Sequence, residues 1–174
     1  MKLALSTWPE GTKTADFEET DEELGLQKEL YRFPDPIIVK MAVHKTHDEV
    51  IIEGHLTTTA YAECVRCLDD ANVKVDEAFR RVASIVPDSE VEEDSGDPDF
   101  TLLPQSLPDW DLAEPIREII MLALPDNPLC QEDCRGLCPN CGVNRNQESC
   151  NCNGLRGRNP MAQLGELLDR RHES

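Results

Sequence analysis

The stretch Glu49–Cys64, EVIIEGHLTTTAYAEC, decides the fold. Val50, Ile52, Leu56, Ala60, Ala62 and Cys64 share one phase of a two-residue period. Glu53, His55, Thr57, Thr59 and Glu63 occupy the other. Successive side chains of a strand point to opposite faces, so this is a strand with one buried and one wet face, the pattern of an antiparallel sheet. Just upstream, residues 36–46 (PIIVKMAVHKT) are rich in β-branched residues, and a turn at His47-Asp48 joins the two. Just downstream, residues 71–86 put Val73, Val75 and Phe79 in phase, with an irregularity expected beyond Phe79. Three consecutive strands predict a meander.

Working further outward, residues 2–6 (KLALS) read as a short strand, and the acidic run in 14–30 as a solvated edge or short helix. Residues 111–125 read as a helix. Leu112, Ile116, Ile119, Ile120 and Ala123 form its apolar stripe, Asp111 serves as N-cap, and Glu114 completes a capping box. A last short helix is expected near the C-terminus, with Asn159 as N-cap, Pro160 at its first position and Met161, Leu164, Leu167 and Leu168 on its apolar side. Between sheet and helix, residues 87–110 read as a long mobile connection, because seven acids and no base fall between Asp88 and Asp99. The expected architecture is α+β: an antiparallel meander covered by a helix, with a cysteine-rich, zinc-ribbon-like tail and a short terminal helix. The division is an acidic domain over 1–129 and a tail over 130–174.

The formal net charge is −18 in 174 residues. Residues 1–129 carry 29 Asp/Glu against 11 Lys/Arg, the whole of that excess, while residues 130–174 carry six of each. A body this acidic does not attract nucleic acid through a general positive field; basic proteins are its natural partners. The N-terminus has too short an apolar run for a secretory signal, and no stretch approaches the ~20 apolar residues that span a bilayer. A cytoplasmic protein without membrane association is expected. Thiols stay reduced there, so paired cysteines favour metal over disulfides.

The eight cysteines form four close pairs: Cys64/Cys67, Cys130/Cys134, Cys138/Cys141 and Cys150/Cys152. Structural zinc takes four ligands, so four pairs suit two ions. Of the three ways to match them, Cys138/Cys141 with Cys150/Cys152 is favoured, because only eight residues separate the pairs and closing that loop is entropically easy. That leaves Cys64/Cys67 with Cys130/Cys134, a staple between the second strand and the exit of the helix. With four cysteines per site the coordination is closed, which predicts structural rather than catalytic zinc. Iron–sulfur clusters use the same ligands, and an iron–sulfur or thiol redox protein is the competing reading. His44, His47, His55 and His172 read as surface residues. No phosphate-binding, dinucleotide or hydrolase motif occurs, so no enzyme and no small-molecule substrate is expected. Arg135, Arg145, Arg156 and Arg158 surround the cysteines and are candidate partner-binding residues, able to meet a phosphate backbone locally.

Taken together, CVRCL at 64–68, DLAEPIREIIMLALP at 111–125, PLCQEDCRGLCPNCG at 128–142, CNC at 150–152 and the NPxxxLxxLL ending resemble the YceD family, bacterial and plastid proteins called large ribosomal RNA subunit accumulation proteins. The resemblance runs nearly end to end, with little in the first 35 residues or the acidic connection. It implies a non-catalytic ribosome-biogenesis factor supporting synthesis, processing or stability of large-subunit ribosomal RNA. Genes of the family tend to lie beside that of a small basic large-subunit ribosomal protein. The implied partners are such a protein, large-subunit ribosomal RNA or its precursor, or both. The family's recurrent cysteine positions fall here on the eight named above.

Overall fold

The computed structural model describes residues 1–26, 30–91 and 99–152. The expected C-terminal helix lies outside them. Among the described residues there are seven strands, two α-helices and a short 3-10 helix at Asp88–Glu90. The central sheet has the order β2-β3-β4-β5-β6: β2 (Gly11–Glu19), β3 (Ile37–Lys45), β4 (Glu49–Glu63), β5 (Asp70–Val86) and β6 (Phe100–Pro104). A separate ribbon pairs β1 (Lys2–Leu3) with β7 (Trp110–Asp111). The helices are α1 (Asp21–Leu24) and α2 (Ala113–Ala123).

The two-residue period of β4 is realised along its length. Val50, Ile52, Leu56, Ala60, Ala62 and Cys64 are buried, and Glu53, His55 and Glu63 are exposed. Register extends that face sideways, since Val39 pairs with Leu56 and Val43 with Ile52. Ile37, Val39, Met41 and Val43 are buried accordingly. Fully burying a side chain of this size stabilises by about 1.5–3 kcal/mol, so this one face supplies most of the core. Helix α2 covers it with Ile116 and Ile120, and Leu3, Leu24, Phe33, Trp110 and Leu112 close its margins.

Several expectations change. The sheet is mixed rather than a pure meander, because β6 runs parallel to β5, from Val82 opposite Phe100 to Val86 opposite Pro104. The segment expected to be a mobile connection over 87–110 is therefore structural at its C-terminal end; residues 92–98 lie outside the described residues. Leu103 and Trp110 are buried there. A parallel return needs about a dozen connecting residues, and the acidic block supplies that length. β5 has no break beyond Phe79: its pairing with β4 is continuous from Asp70 to Ser84. Beyond Phe79, Arg81 takes the phase of the buried face, opposite Ile52. Arg81 is accommodated by Asp99 at 3.6 Å and Glu118 of α2 at 3.9 Å. Phe79 lies over Gly54, where a Cβ would stand 2.3 Å from the ring, so the glycine makes room for the aromatic ring.

The capping box appears elsewhere than expected. Leu112, not Asp111, is the N-cap of α2, with no side-chain cap bond; Asp111 accepts from the Ala113 amide at 2.9 Å. The reciprocal box forms at Thr20 and Glu23 around α1, and Gly25 closes that helix at φ 65°. The acidic run at 14–30 thus splits into edge strand β2 and the four-residue α1.

Candidate metal centres

The hairpin β4–β5 carries the first cysteine pair at its tip. Glu63 and Asp70 are the last paired residues, and Cys64–Asp69 form the turn. The Leu68 amide donates to the Cys64 carbonyl at 2.9 Å and the Cys64 amide to that of Asp69 at 2.8 Å. Leu68 sits at φ 63°, a left-handed position. This winding aims Cys64 and Cys67 to the same side, and both are buried.

The second pair arrives from α2. Leu124 and Pro128 are buried, and Tyr31 donates from Oη to the Pro125 carbonyl at 2.5 Å, fixing the chain as it leaves the helix. The arm is then laced to the hairpin tip. The Val65 amide donates to the Pro128 carbonyl at 3.0 Å, Arg66 Nη1 to the Cys134 carbonyl at 3.0 Å, and the Leu137 amide to the Arg66 carbonyl at 2.9 Å. Gly136, at φ 68°, permits the last contact, since a Cβ there would be 2.9 Å from the Arg66 carbonyl oxygen. Replacing Gly136 with alanine is expected to cost about 1–3 kcal/mol through strain and that clash, and to speed metal release to a chelator. Unchanged release and an unchanged unfolding midpoint would count against the lacing.

The structure brings Cys64, Cys67, Cys130 and Cys134 into one group, and Cys138, Cys141, Cys150 and Cys152 into another. Within each, all four Sγ atoms lie within 4.8 Å of one another. Cys64 and Cys134 Sγ are 3.7 Å apart, and Cys67 and Cys130 Sγ 3.5 Å. A tetrahedron of sulfurs around one ion with bonds of about 2.3 Å has edges of about 3.8 Å. The inner group therefore has the dimensions of a single tetrahedral ion. A cluster puts thiolates on different irons and spreads them further apart. Each group could hold one metal ion, and a set of four thiolates suits zinc.

The outer group is built on a knuckle. The Gly142 amide donates to the Cys138 carbonyl at 2.8 Å, the Cys138 amide to that of Val143 at 2.8 Å, and Leu137 bridges to Asn144. Gly142 takes φ 74°, as the turn after CPNC requires. Cys138 is buried, whereas Cys141 and Cys152 are exposed.

In each group one thiol is set to ionise and another to stay protonated. Burial opposes ionisation of Cys64, but the amides of Cys130, Arg66 and Cys67 point at its sulfur and lower its pKa to about 6. Amides of Cys141 and Asn140 lower Cys138 to about 6. Sharing with Cys141, together with burial, pushes Cys152 up to about 12. At Cys67 the Asp69 amide favours the thiolate, but burial and sharing with Cys130, Cys64 and Cys134 outweigh it and raise the pKa to about 12. Four neighbouring sulfurs hold protons between them until a cation displaces those protons, so acid competes with metal.

Arg135 and Arg145 line a cleft of about 410 Å³ beside the outer cysteines; Arg156 and Arg158 lie outside the described residues. His44 bonds Thr12 at 2.8 Å, His55 pairs with Asp76, and neither joins a cysteine group; His172 is outside the described residues.

An uncharacterized protein of Mycobacterium tuberculosis is 31% identical over 104 residues, covering 59% of this chain and 48% of that protein. One from Mycobacterium leprae is 28% identical over 125 residues, covering 69% and 54%. The large ribosomal RNA subunit accumulation protein YCED homolog 1, chloroplastic, of Arabidopsis thaliana is 22% identical over 179 residues, covering 85% and 55%. The chain thus spans about half the length of the curated relatives it matches. No solved structure matches. The family described as large ribosomal RNA subunit accumulation protein YceD matches residues 52–168, a span that begins within β4 and takes in all eight cysteines; on that match, covering more than half of its length, this chain belongs to the YceD family.

Proposed function

We propose that this protein supports accumulation of large-subunit ribosomal RNA as a non-catalytic assembly factor, acting in the cytoplasm by holding a basic large-subunit ribosomal protein. The observation that carries this reading is the charge: the entire −18 falls on residues 1–129, apart from the cysteine tail. Exposed acids of this kind attract a basic partner over the range of a Debye length, about 8–10 Å at physiological salt, and shield it from premature contact with RNA. The two cysteine groups fit zinc as a structural ion. Four thiolates leave no open coordination position, so the metal would hold the arm to the hairpin rather than meet a substrate.

Pull-downs from a cell extract at low and high salt test the reading. Basic large-subunit ribosomal proteins are expected in the low-salt eluate and lost at high salt. Their absence, or retention that ignores salt, would overturn it. Cells lacking the protein should also show a reduced large-subunit peak in ribosomal-particle profiles.

The cleft holding Arg135 and Arg145 favours a second reading, local contact with ribosomal RNA phosphates. Replacing both with alanine would then abolish RNA crosslinks from the tail; unchanged crosslinking removes this alternative.

A further inference from the structure

The residues between the two halves of the outer cysteine group do more than close its loop. Asn144 Nδ2 donates to Asp69 Oδ2 at 2.6 Å, and Gln147 Nε2 to the same oxygen at 3.2 Å. Asp69 belongs to the hairpin tip, where its carbonyl accepts the Cys64 amide. Asn146 Nδ2 donates to Cys134 Sγ at 3.2 Å, while its Oδ1 accepts the Arg135 amide at 2.7 Å. The Arg145 amide donates to the Gly136 carbonyl at 3.0 Å. The loop therefore grips both sides of the inner group, the hairpin tip through Asp69 and the arm through Cys134, Arg135 and Gly136.

We propose that this loop couples the two metal centres: an ion in the outer group fixes residues 143–149, and they in turn hold the inner group's sulfurs in place, with Asn146 as the positioning residue. Three features support this direction of action. Cys141 and Cys150 lie at the two ends of the loop, so an ion bound to both restricts it directly. A side-chain amide on Cys134 Sγ stabilises its thiolate and orients it, the role that outer-shell hydrogen bonds play at metal sites. Asn144 also bonds internally, accepting from the Asn146 amide at 3.0 Å, so the contacts to the tip and to the arm belong to one rigid turn. Linkage makes the effect reciprocal: whatever the outer ion adds to inner affinity, the inner ion adds to the outer.

The test uses the full-length, zinc-loaded chain in the presence of a competing chelator and a thiol-alkylating reagent. Peptide mass spectrometry reads labelling separately at Cys64, Cys67, Cys130 and Cys134. In Cys141→Ser/Cys152→Ser, which disables only the outer group, inner labelling is expected to rise about tenfold or more. In Asn146→Ala, with all eight thiols kept, a rise of similar size is expected, and Ser149→Ala on the same loop should match the unaltered chain. The far-ultraviolet signature of the sheet should stay unchanged in every variant, since the core built on Val50, Ile52 and Leu56 contains no ligand. Unchanged inner labelling in the doubly substituted chain overturns the coupling. A rise there without one in Asn146→Ala overturns the assignment to Asn146. A rise accompanied by loss of the sheet's far-ultraviolet signature would mean that the loop merely supports the fold, and would equally overturn the proposal.

Discussion

Replacing Cys64 with serine is expected to remove one of two metal ions per chain and to lower the unfolding free energy by about 4 kcal/mol. The magnitude follows from what the inner group ties together. Cys67 and Cys130 are 63 positions apart and Cys64 and Cys134 are 70 apart. A metal joining them acts on the unfolded chain as a cross-link closing a loop of more than sixty residues, for which chain entropy gives about 4 kcal/mol. The outer group closes only the eight residues between Cys141 and Cys150, and the same reasoning gives about 3 kcal/mol or less. Cys64→Ser should therefore shift the denaturation midpoint more than Cys141→Ser, although each loses one ion by elemental analysis. A chelator should bring the unaltered chain down to or below the level of Cys64→Ser and leave far-ultraviolet signatures of the sheet intact, since the core built on Val50, Ile52 and Leu56 contains no ligand. Equal midpoints for Cys64→Ser and the parent, with metal content unchanged, would remove the structural role of the inner group. Acid should act like the chelator. Protons compete with the ion for the thiolates of both groups, so bound metal is expected to fall as pH falls.

The features that could be read from the sequence were those carried by local pattern. β4 announced itself because six apolar residues recur at even spacing; the strand now seen at Ile37–Lys45 followed from its β-branched residues, and the one at Asp70–Val86 from the in-phase Val73, Val75 and Phe79. The cysteine grouping followed from spacing and loop length, and the four sulfurs of each group do meet. What escaped was decided by distant partners. β6 is five residues long, and its pairing with β5 depends on a return across the sheet that no local pattern encodes. Arg81 in an inward phase looked like a break, because its partners Asp99 and Glu118 come from elsewhere in the chain. The Thr20-x-x-Glu23 box was legible as a sequence pattern but was buried in an acidic run, while the equally good pattern at Asp111 and Glu114 failed. There the chain enters the helix from the β1–β7 ribbon with Leu112 as cap, and Asp111 is committed to pairing with Lys2. The hydrogen bonds of Asn144, Asn146 and Gln147 had no signature either, since loops rich in Asn and Gln are ordinary.

Trp110 is where that gap has its largest energetic consequence. It falls within a segment whose acids suggest mobility, yet it is 6% exposed and pairs with Leu3 across the β1–β7 ribbon. Next to it, Leu112 is buried and its amide donates to the Met1 carbonyl at 3.0 Å, so the indole packs where the N-terminus, the ribbon and the start of α2 converge. Truncating Trp110 to alanine should cost about 3–5 kcal/mol, the range for deleting a large aromatic side chain from a core that cannot fully collapse. If residues 100–111 were a solvated linker, the same change would fall within about 0.5 kcal/mol. Equilibrium denaturation separates the two outcomes directly. The metal content discriminates further. The inner group is held by the hairpin tip and by the lacing of Val65, Arg66 and Leu137, none of which touches the ribbon. Trp110→Ala should consequently keep two ions per folded chain while losing stability, whereas Cys64→Ser loses both an ion and stability. If Trp110→Ala also released metal under native conditions, the sheet's cap and the cysteine arm would have to form one cooperative unit, and the independence of core and metal centres argued from their separate contacts would fail.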